Sequence, residues 1–194
     1  ILTIIGTRPQ YIKSSIVSKK IRDLSGGILN ECIVDTGQHF DKNMSSVFIN
    51  ELGINNIKYN LKVNCGSHAD MTARMLVSID NVLVKEKPDC ILLYGDTNST
   101  LSGALSAVKR SIPIYHVEAG VRSFDLNVPE EVNRVLTDHI SSYLFTPTKT
   151  ASRNLLSEGI NPNKIIFSGD VMYDLALDNI QYLKLKNFLL VSTL

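Results

Sequence analysis

Short β-rich runs alternate with longer stretches of helical periodicity along most of the chain, and this alternation constrains the fold more than any other feature. The runs are Leu2–Ile5, Cys32–Asp35, Cys90–Tyr94, Ile112–Val117, Ser142–Phe145 and Ile165–Phe167. Strands separated by helix-length connections suit parallel pairing with crossover helices, so the order predicts an α/β fold, a parallel sheet with helices on both faces. Leu101, Ala104, Leu105 and Val108 recur at i, i+3, i+4 and i+7, and Met75, Ile79, Val82 and Leu83 make a similar stripe, so both segments read as amphipathic helices. Proline limits them: one stops near Arg110 before Ile112-Pro113, the other before Lys87-Pro88. The stretch from Lys58 to Ser67, polar with one glycine, is the least regular and is expected to be a mobile loop.

Charge and composition exclude several classes of function. The 20 Lys and Arg nearly balance 19 Asp and Glu, so there is neither a basic field for nucleic acid nor an acidic tail. The longest apolar run, Cys90 to Tyr94, is far short of the ~20 residues that span a bilayer, which argues against a membrane partner. Ile1 to Ile5 is too short for a signal peptide and has no basic start, so the chain is expected to be cytoplasmic. Cys32, Cys65 and Cys90 form no C-x-x-C pair and read as core fillers or surface thiols rather than a disulfide framework. One domain is expected over residues 1–168. After Gly169 a helical pattern runs through Lys186 and a strand-like Phe188-Leu189-Leu190-Val191 follows, so residues 169–194 read as a connecting helix and the first strand of a second, truncated domain.

The polar motifs fall where strands end, the edge at which open α/β sheets bind ligands. Gly6-Thr7-Arg8-Pro9 follows the first strand, where a helix start offering free N–H groups, together with Arg8 and Lys13, suits phosphate; a plain turn with an exposed arginine fits the spacing equally. Neither G-x-G-x-x-G nor G-x-x-x-x-G-K-[ST] occurs, so the dinucleotide and P-loop readings have no support. Gln38-His39 follows the second strand. Asp96 follows Cys90–Tyr94, either as a helix N-cap or as a site group, and Glu118 follows the next strand. Two carboxylates on adjacent strand tips can be driven to different pKa values and divide acid and base work. In Pro129-Glu130-Glu131-Val132-Asn133-Arg134, proline suits a first helical turn and the acids its positive end, while Glu130 and Arg134 at i, i+4 suit a surface pair. His116 and Glu118 at i, i+2 would share one face of a strand, but no third ligand follows and no metal site is assigned.

Taken together, Gly6-Thr7-Arg8-Pro9-Gln10 with Lys13, Asp35-Thr36-Gly37-Gln38-His39, Gly95-Asp96-Thr97, His116-Val117-Glu118-Ala119-Gly120-Val121-Arg122, Pro129-Glu130-Glu131-x-Asn133-Arg134 and Gly169-Asp170-Val171-Met172-Tyr173-Asp174 closely resemble the non-hydrolysing UDP-N-acetylglucosamine 2-epimerases. The resemblance implies a Rossmann-like sheet forming the N-terminal half of a glycosyltransferase-B-type two-domain fold, with a UDP-sugar bound between the domains. It implies inversion at C2 by anti elimination of UDP through 2-acetamidoglucal and re-addition, supplying precursors of cell-surface polysaccharide, with no cofactor. On this resemblance Asp96, Glu118 and Glu130 match the catalytic acids with Arg134 beside them. Arg8 and Lys13 match basic groups facing the phosphates or the cleft, and Gln38 and His39 match residues that help bind substrate or a second, activating UDP-GlcNAc. A homodimer is implied, to which the apolar helix Met75–Val84 is one candidate contributor, and these residues alone are expected to be inactive. Gln10 stands where the family often has Glu, and Asp170 where it often has Asn, which hints at another UDP-2-acetamido sugar. The competing readings are a hydrolysing 2-epimerase releasing ManNAc and UDP, a UDP-sugar-binding module without chemistry, and a glycosyltransferase of the same architecture.

Overall fold

The structure is a computed structural model that describes residues 1–38, 49, 52–54 and 57–180. Seven parallel strands form one sheet: β1 (Leu2–Ile5), β2 (Cys32–Asp35), β3 (Ile57–Asn60), β4 (Ile91–Tyr94), β5 (Ile114–Val117), β6 (Tyr143–Thr146) and β7 (Ile165–Phe167). Their order is β3-β2-β1-β4-β5-β6-β7. Between them run α1 (Arg8–Ser25), α2 (His68–Glu86), α3 (Asn98–Val108), α4 (Pro129–Ile140) and α5 (Lys149–Ser157), and residues 171–180 are again helical. The chain leaves β1 toward β2 on one side and returns to β4 on the other, so the switch point of the topology lies between the carboxyl ends of β1 and β4.

Strand residues alternate between two cores, one on each face of the sheet. Leu2, Ile4, Val34, Ile91 and Leu93 pack with Met75, Ile79, Val82 and Leu83 of α2 and with Ala104 and Ala107 of α3. Ile5, Ile33, Leu92, Tyr94 and Val117 pack on the opposite face with Tyr11 of α1 and Val171. The α2 stripe is therefore fully used inside the molecule, and Val77 and Val84 face outward. No helix among the described residues is long and apolar enough to cross a membrane.

Three sequence expectations need correction. Residues 57–60 within the expected loop form an edge strand: Ile57 and Tyr59 turn inward while Lys58 and Asn60 stay exposed, and Lys58 and Tyr59 both reach Glu86 at the end of α2. The helix α3 is not amphipathic but buried almost all round, with Val108 turned outward. Small side chains make that possible. Ser102 and Ser106 donate to the carbonyls of Thr72 and Leu76 on α2, and a Cβ on Gly103 would come within 2.8 Å of both Ile4 and Leu93. Strand limits also shift slightly, because β4 starts at Ile91, β5 at Ile114 and β6 spans Tyr143–Thr146. The expected helix beyond residue 180 and the strand-like Phe188–Val191 lie outside the described residues.

One side chain spans the switch point. Gln10, buried in the first turn of α1, accepts the N–H groups of Gly6 and Thr7 at 2.9 and 3.1 Å through Oε1. Its Nε2 lies 2.8, 3.0 and 2.9 Å from Tyr94 O, Thr97 Oγ1 and Thr100 Oγ1. A carboxamide carries both functions in one planar fork, and two N–H groups facing one end fix which atom is oxygen. Replacing Gln10 by the isosteric methionine should strand the two buried amides and lower stability by about 2–4 kcal/mol. Gln10→Glu should cost less than methionine but still destabilise: its oxygens accept both amides and the threonine hydroxyls can turn to donate, yet the oxygen replacing Nε2 meets the Tyr94 carbonyl. Urea denaturation midpoints at unchanged m-value check both expectations.

Candidate active site at the carboxyl ends of the central strands

Beyond β4 the chain turns through Gly95, whose φ of +63° places it in the left-handed region. Asp96 comes next, but the cap of α3 is Thr97, whose Oγ1 accepts the Thr100 N–H. Asp96 is thus spared for another role. Its carboxylate meets Arg134 Nη2 at 2.5 Å, and its carbonyl accepts from Asn133 Nδ2 at 2.9 Å. Arg134 therefore does not pair with Glu130 as an i, i+4 surface pair; its other nitrogen goes to Glu131 at 3.0 Å. Glu130 is exposed in the first turn of α4, beside the N1 proline.

Glu118 lies just past the end of β5 with φ +71°, an unusual conformation for a residue with a side chain and one that surrounding structure must hold. The Phe145 carbonyl provides that restraint, accepting from both Glu118 N and Ala119 N at 3.0 Å. Glu118 consequently shares no strand face with His116, which is fully buried inside β5. Among the described residues no group of His, Cys, Asp and Glu is placed to hold a metal ion. The Glu118 carboxylate pairs with Lys13 from α1, and the pair sits over Gly95, where a Cβ would stand 3.4 Å from Glu118 Oε2 and 3.7 Å from Lys13 Nζ. Those are ordinary contacts, so it is the left-handed φ rather than lack of space that favours glycine at position 95. Gly169, Asp170 and Val171 line the same narrow crevice as Lys13 and Glu118.

The expected phosphate cradle is only partly available. Gly6 and Thr7 give their N–H groups to Gln10, Pro9 has none, and Gln10 N donates to Thr7 O. Of the groups expected there to face a phosphate, the exposed Arg8 side chain stays at this turn, while its Gly6 and Thr7 amides are already bonded. At the start of α3, Gln38 Oε1 accepts the Ser99 N–H and hydroxyl at 3.1 and 2.8 Å, so Gln38 serves locally as a helix-end acceptor. His39 lies outside the described residues. Beside Asp96 and Arg134, a cavity of about 560 Å³ is lined by His68, Asn98, Leu126, Pro129, Val132 and Asn133. His68 drew no attention from sequence, yet its Nδ1 is 3.1 Å from Asn98 Nδ2. A cavity of about 670 Å³ at the amino-terminal edge, lined in part by Cys32, Lys58, Glu86 and Cys90, is on the far side of the sheet from the carboxylates.

Glu131 is the residue that sequence reasoning passed over. It is buried, and its two oxygens accept the N–H groups of Ser123 and Phe124 at 3.0 and 2.9 Å while also receiving Arg134. Burial pushes its carboxyl up, but those N–H groups and the guanidinium outweigh burial and hold its pKa below the usual 4.5. A carboxyl with a depressed folded pKa contributes stability that is complete above its unfolded value and lost as pH falls through the folded one. Glu131→Gln should therefore cost about 1–3 kcal/mol at pH 7. The gap to the unsubstituted protein should shrink below pH 4.5, as urea titrations at pH 7 and pH 4 would reveal.

A family model described as UDP-N-acetylglucosamine 2-epimerase matches residues 24–190. A UDP-N-acetylglucosamine 2-epimerase homolog of Methanococcus maripaludis is 53% identical over 194 residues, all of this chain and 53% of the relative. The UDP-2,3-diacetamido-2,3-dideoxy-D-glucuronate 2-epimerase of Pseudomonas aeruginosa is 55% identical over 179 residues, 91% of this chain and 50% of the relative. The crystal structure of Methanocaldococcus jannaschii UDP-GlcNAc 2-epimerase in complex with UDP-GlcNAc and UDP superposes with a TM-score of 0.87 at 50% identity, covering 93% of this chain and 49% of that one. The chain thus spans about half the length of the relatives it matches.

Proposed function

The chain belongs to the UDP-N-acetylglucosamine 2-epimerase family, and from that premise we propose that the whole protein inverts C2 of a UDP-2-acetamido sugar without hydrolysing it. The observation that carries the reading is the grouping of three carboxylates with different surroundings at one sheet edge. Glu118 is paired with Lys13, Asp96 with Arg134, and Glu130 stands exposed at the adjoining helix start. Inversion needs a proton removed from one face of C2 and returned to the other, hence acid and base groups on separate supports. The C2–H bond breaks toward a carboxylate while the C1–O bond breaks toward the diphosphate, leaving a C1–C2 double bond in 2-acetamidoglucal. Re-addition of the diphosphate to C1 and delivery of a proton to the opposite face of C2 complete the exchange. Arg8 and Lys13 would balance the charge that collects on the departing UDP. Gln38 and His39 would bind the substrate or a second, activating UDP-sugar.

In this reading residues 1–168 form one wall of the cleft and residues 169–194 lead into a second domain that supplies the other. The protein then acts as a homodimer in the cytoplasm, and the present residues alone are inactive. The relative that acts on a 2,3-diacetamido glucuronate widens the candidate sugars beyond UDP-GlcNAc, in keeping with Gln10 and Asp170 at two motif positions.

Incubation of the full-length protein with either sugar nucleotide in deuterated water should place deuterium at C2, followed by proton NMR, and yield the C2-inverted UDP-sugar. Free sugar plus UDP as the end product would instead identify a hydrolysing enzyme, and the absence of exchange with both sugars would refute the reading. Asp96→Asn, Glu118→Gln and Glu130→Gln should each lower kcat by at least ~10²-fold while UDP binding persists.

A further inference from the structure

Behind the carboxylate turns lies a buried polar cluster that the elimination step does not use. His116 on β5 is fully buried, with Nδ1 2.7 Å from Asp138 Oδ1 and Nε2 2.7 Å from the Gly95 carbonyl. That carbonyl can only accept, so Nε2 carries a hydrogen. Asp138, buried on α4, receives the Gly120 N–H at 3.0 Å and Arg122 Nη1 at 2.7 Å on its second oxygen. Arg122 continues to Glu158 at 2.7 and 2.8 Å. Burial alone would push the Asp138 carboxyl up, but the hydrogen bond and charge of His116, with Arg122, hold it below the usual range.

The backbone groups at the two ends of this pair belong to the two carboxylate turns. Gly95 immediately precedes Asp96, and Gly120 follows Glu118 by two residues. The left-handed φ of +71° at Glu118 needs external restraint, whereas Gly95 and Gly120, at +63° and +77°, reach that region freely and take their aim from what they bond to. Apolar side chains of equal volume would close the sheet end at least as stably, since burying charge is costly, but they could not orient a carbonyl and an amide. We propose that His116 and Asp138 are positioning residues that fix the separation and aim of Asp96 and Glu118. The inference rests on the epimerase reading of those two carboxylates, and it assigns a task to groups that never meet the sugar.

The test uses the full-length protein and separates aim from stability. His116→Asn keeps a donor near the Nδ1 position for Asp138 but is too short to reach Gly95, whereas His116→Gln can place an amide where Nε2 stands. His116→Asn should lower kcat for C2 inversion about 10- to 100-fold, the scale of a small misplacement of reacting groups. Its KM and affinity for UDP should stay within about two-fold, and His116→Gln should recover a large part of the loss. Ile79→Val in the distant α2 core serves as a stability control that lowers Tm without changing kcat. A folded His116→Asn with full kcat, a kcat loss that merely tracks Tm across all variants, or a glutamine variant no better than asparagine would overturn the proposal. Where His116→Asn does not fold, Asp138→Asn decides: reduced kcat with UDP affinity kept supports the pair, and unchanged kcat refutes it. Unsubstituted protein that inverts neither sugar nucleotide removes the epimerase reading and this inference together, while active protein indifferent to His116→Asn removes this inference alone.

Discussion

The carboxamide of Gln10 is the interaction on which the geometry of the site depends. Strands β1 and β4 are neighbours, but the chain leaves them in opposite directions, so their carboxyl-end turns diverge and nothing in the sheet ladder holds them together. Gln10 closes that gap, accepting from the β1–α1 turn and donating to the β4–α3 turn. With the Gly95–Thr97 turn fixed from one side by Gln10, Asn133 and Arg134 fix it from the other through the Asp96 carbonyl and carboxylate. The same bonds use up N–H groups that a helix start would otherwise offer an anion. Rigidity at this turn is gained at the expense of backbone phosphate recognition, which is why Arg8 and Lys13 carry more of the proposed charge balance than glycine-rich loops require.

The ion pairs divide into two kinds. Arg74 with Asp70, Arg110 with Asp80 and Lys19 with Asp178 are surface pairs of substantially exposed side chains, screened by solvent and salt, and contribute little. The pairs of the site are shielded on at least one partner, as with Lys13 at 12% and Glu131 at 2% side-chain exposure, and each cation there also touches a group that the reading assigns to chemistry. Removing one partner of such a pair leaves a charge with poor solvation, so it should cost more stability than loss of a surface pair, besides disturbing a group that the reading assigns to chemistry.

How much of this could be read from the amino acids depends on whether burial was apolar. The strands β1, β4 and β7 are continuous apolar or β-branched runs and declare themselves, as do β2 up to its terminal Asp35 and the stripe of Met75, Ile79, Val82 and Leu83 on α2. The strand β3 is an edge strand whose alternation over Ile57–Asn60 is too short to stand out from a polar stretch, and its partner Glu86 is distant in sequence. Gln10 stands in sequence at the fourth position of a Thr7-x-x-Gln10 capping-box spacing, but the partners of its Nε2 lie more than eighty residues away and leave no local signal. Of the two adjacent glutamates on α4, one faces inward and the other outward, a difference of one position and about 100° that no composition argument resolves. The proposed acids Asp96, Glu118 and Glu130 were legible as strand-end and helix-start residues, and Lys13 and Arg134 as nearby cations, whereas the pairing of Lys13 with Glu118 and of Arg134 with Asp96 was not.

One signal for the inward face of α4 was nevertheless present. Glu131, Arg134 and Asp138 stand at i, i+3 and i+7, the spacing of a single helical stripe, but all three are charged, so a search for apolar periodicity discards them. In the structure that stripe reaches three separate segments at this end of the sheet. Glu131 holds the Ser123–Phe124 backbone, Arg134 holds Asp96, and Asp138 holds His116 and Gly120. An apolar stripe tolerates small slips because methyl groups repack at modest cost, whereas each of these contacts demands a particular donor or acceptor. A displacement of α4 by one residue would break all three at once. The helix is therefore locked in register by polar bonds more than by its hydrophobic content, and that lock fixes where its first turn, with the exposed Glu130, is held.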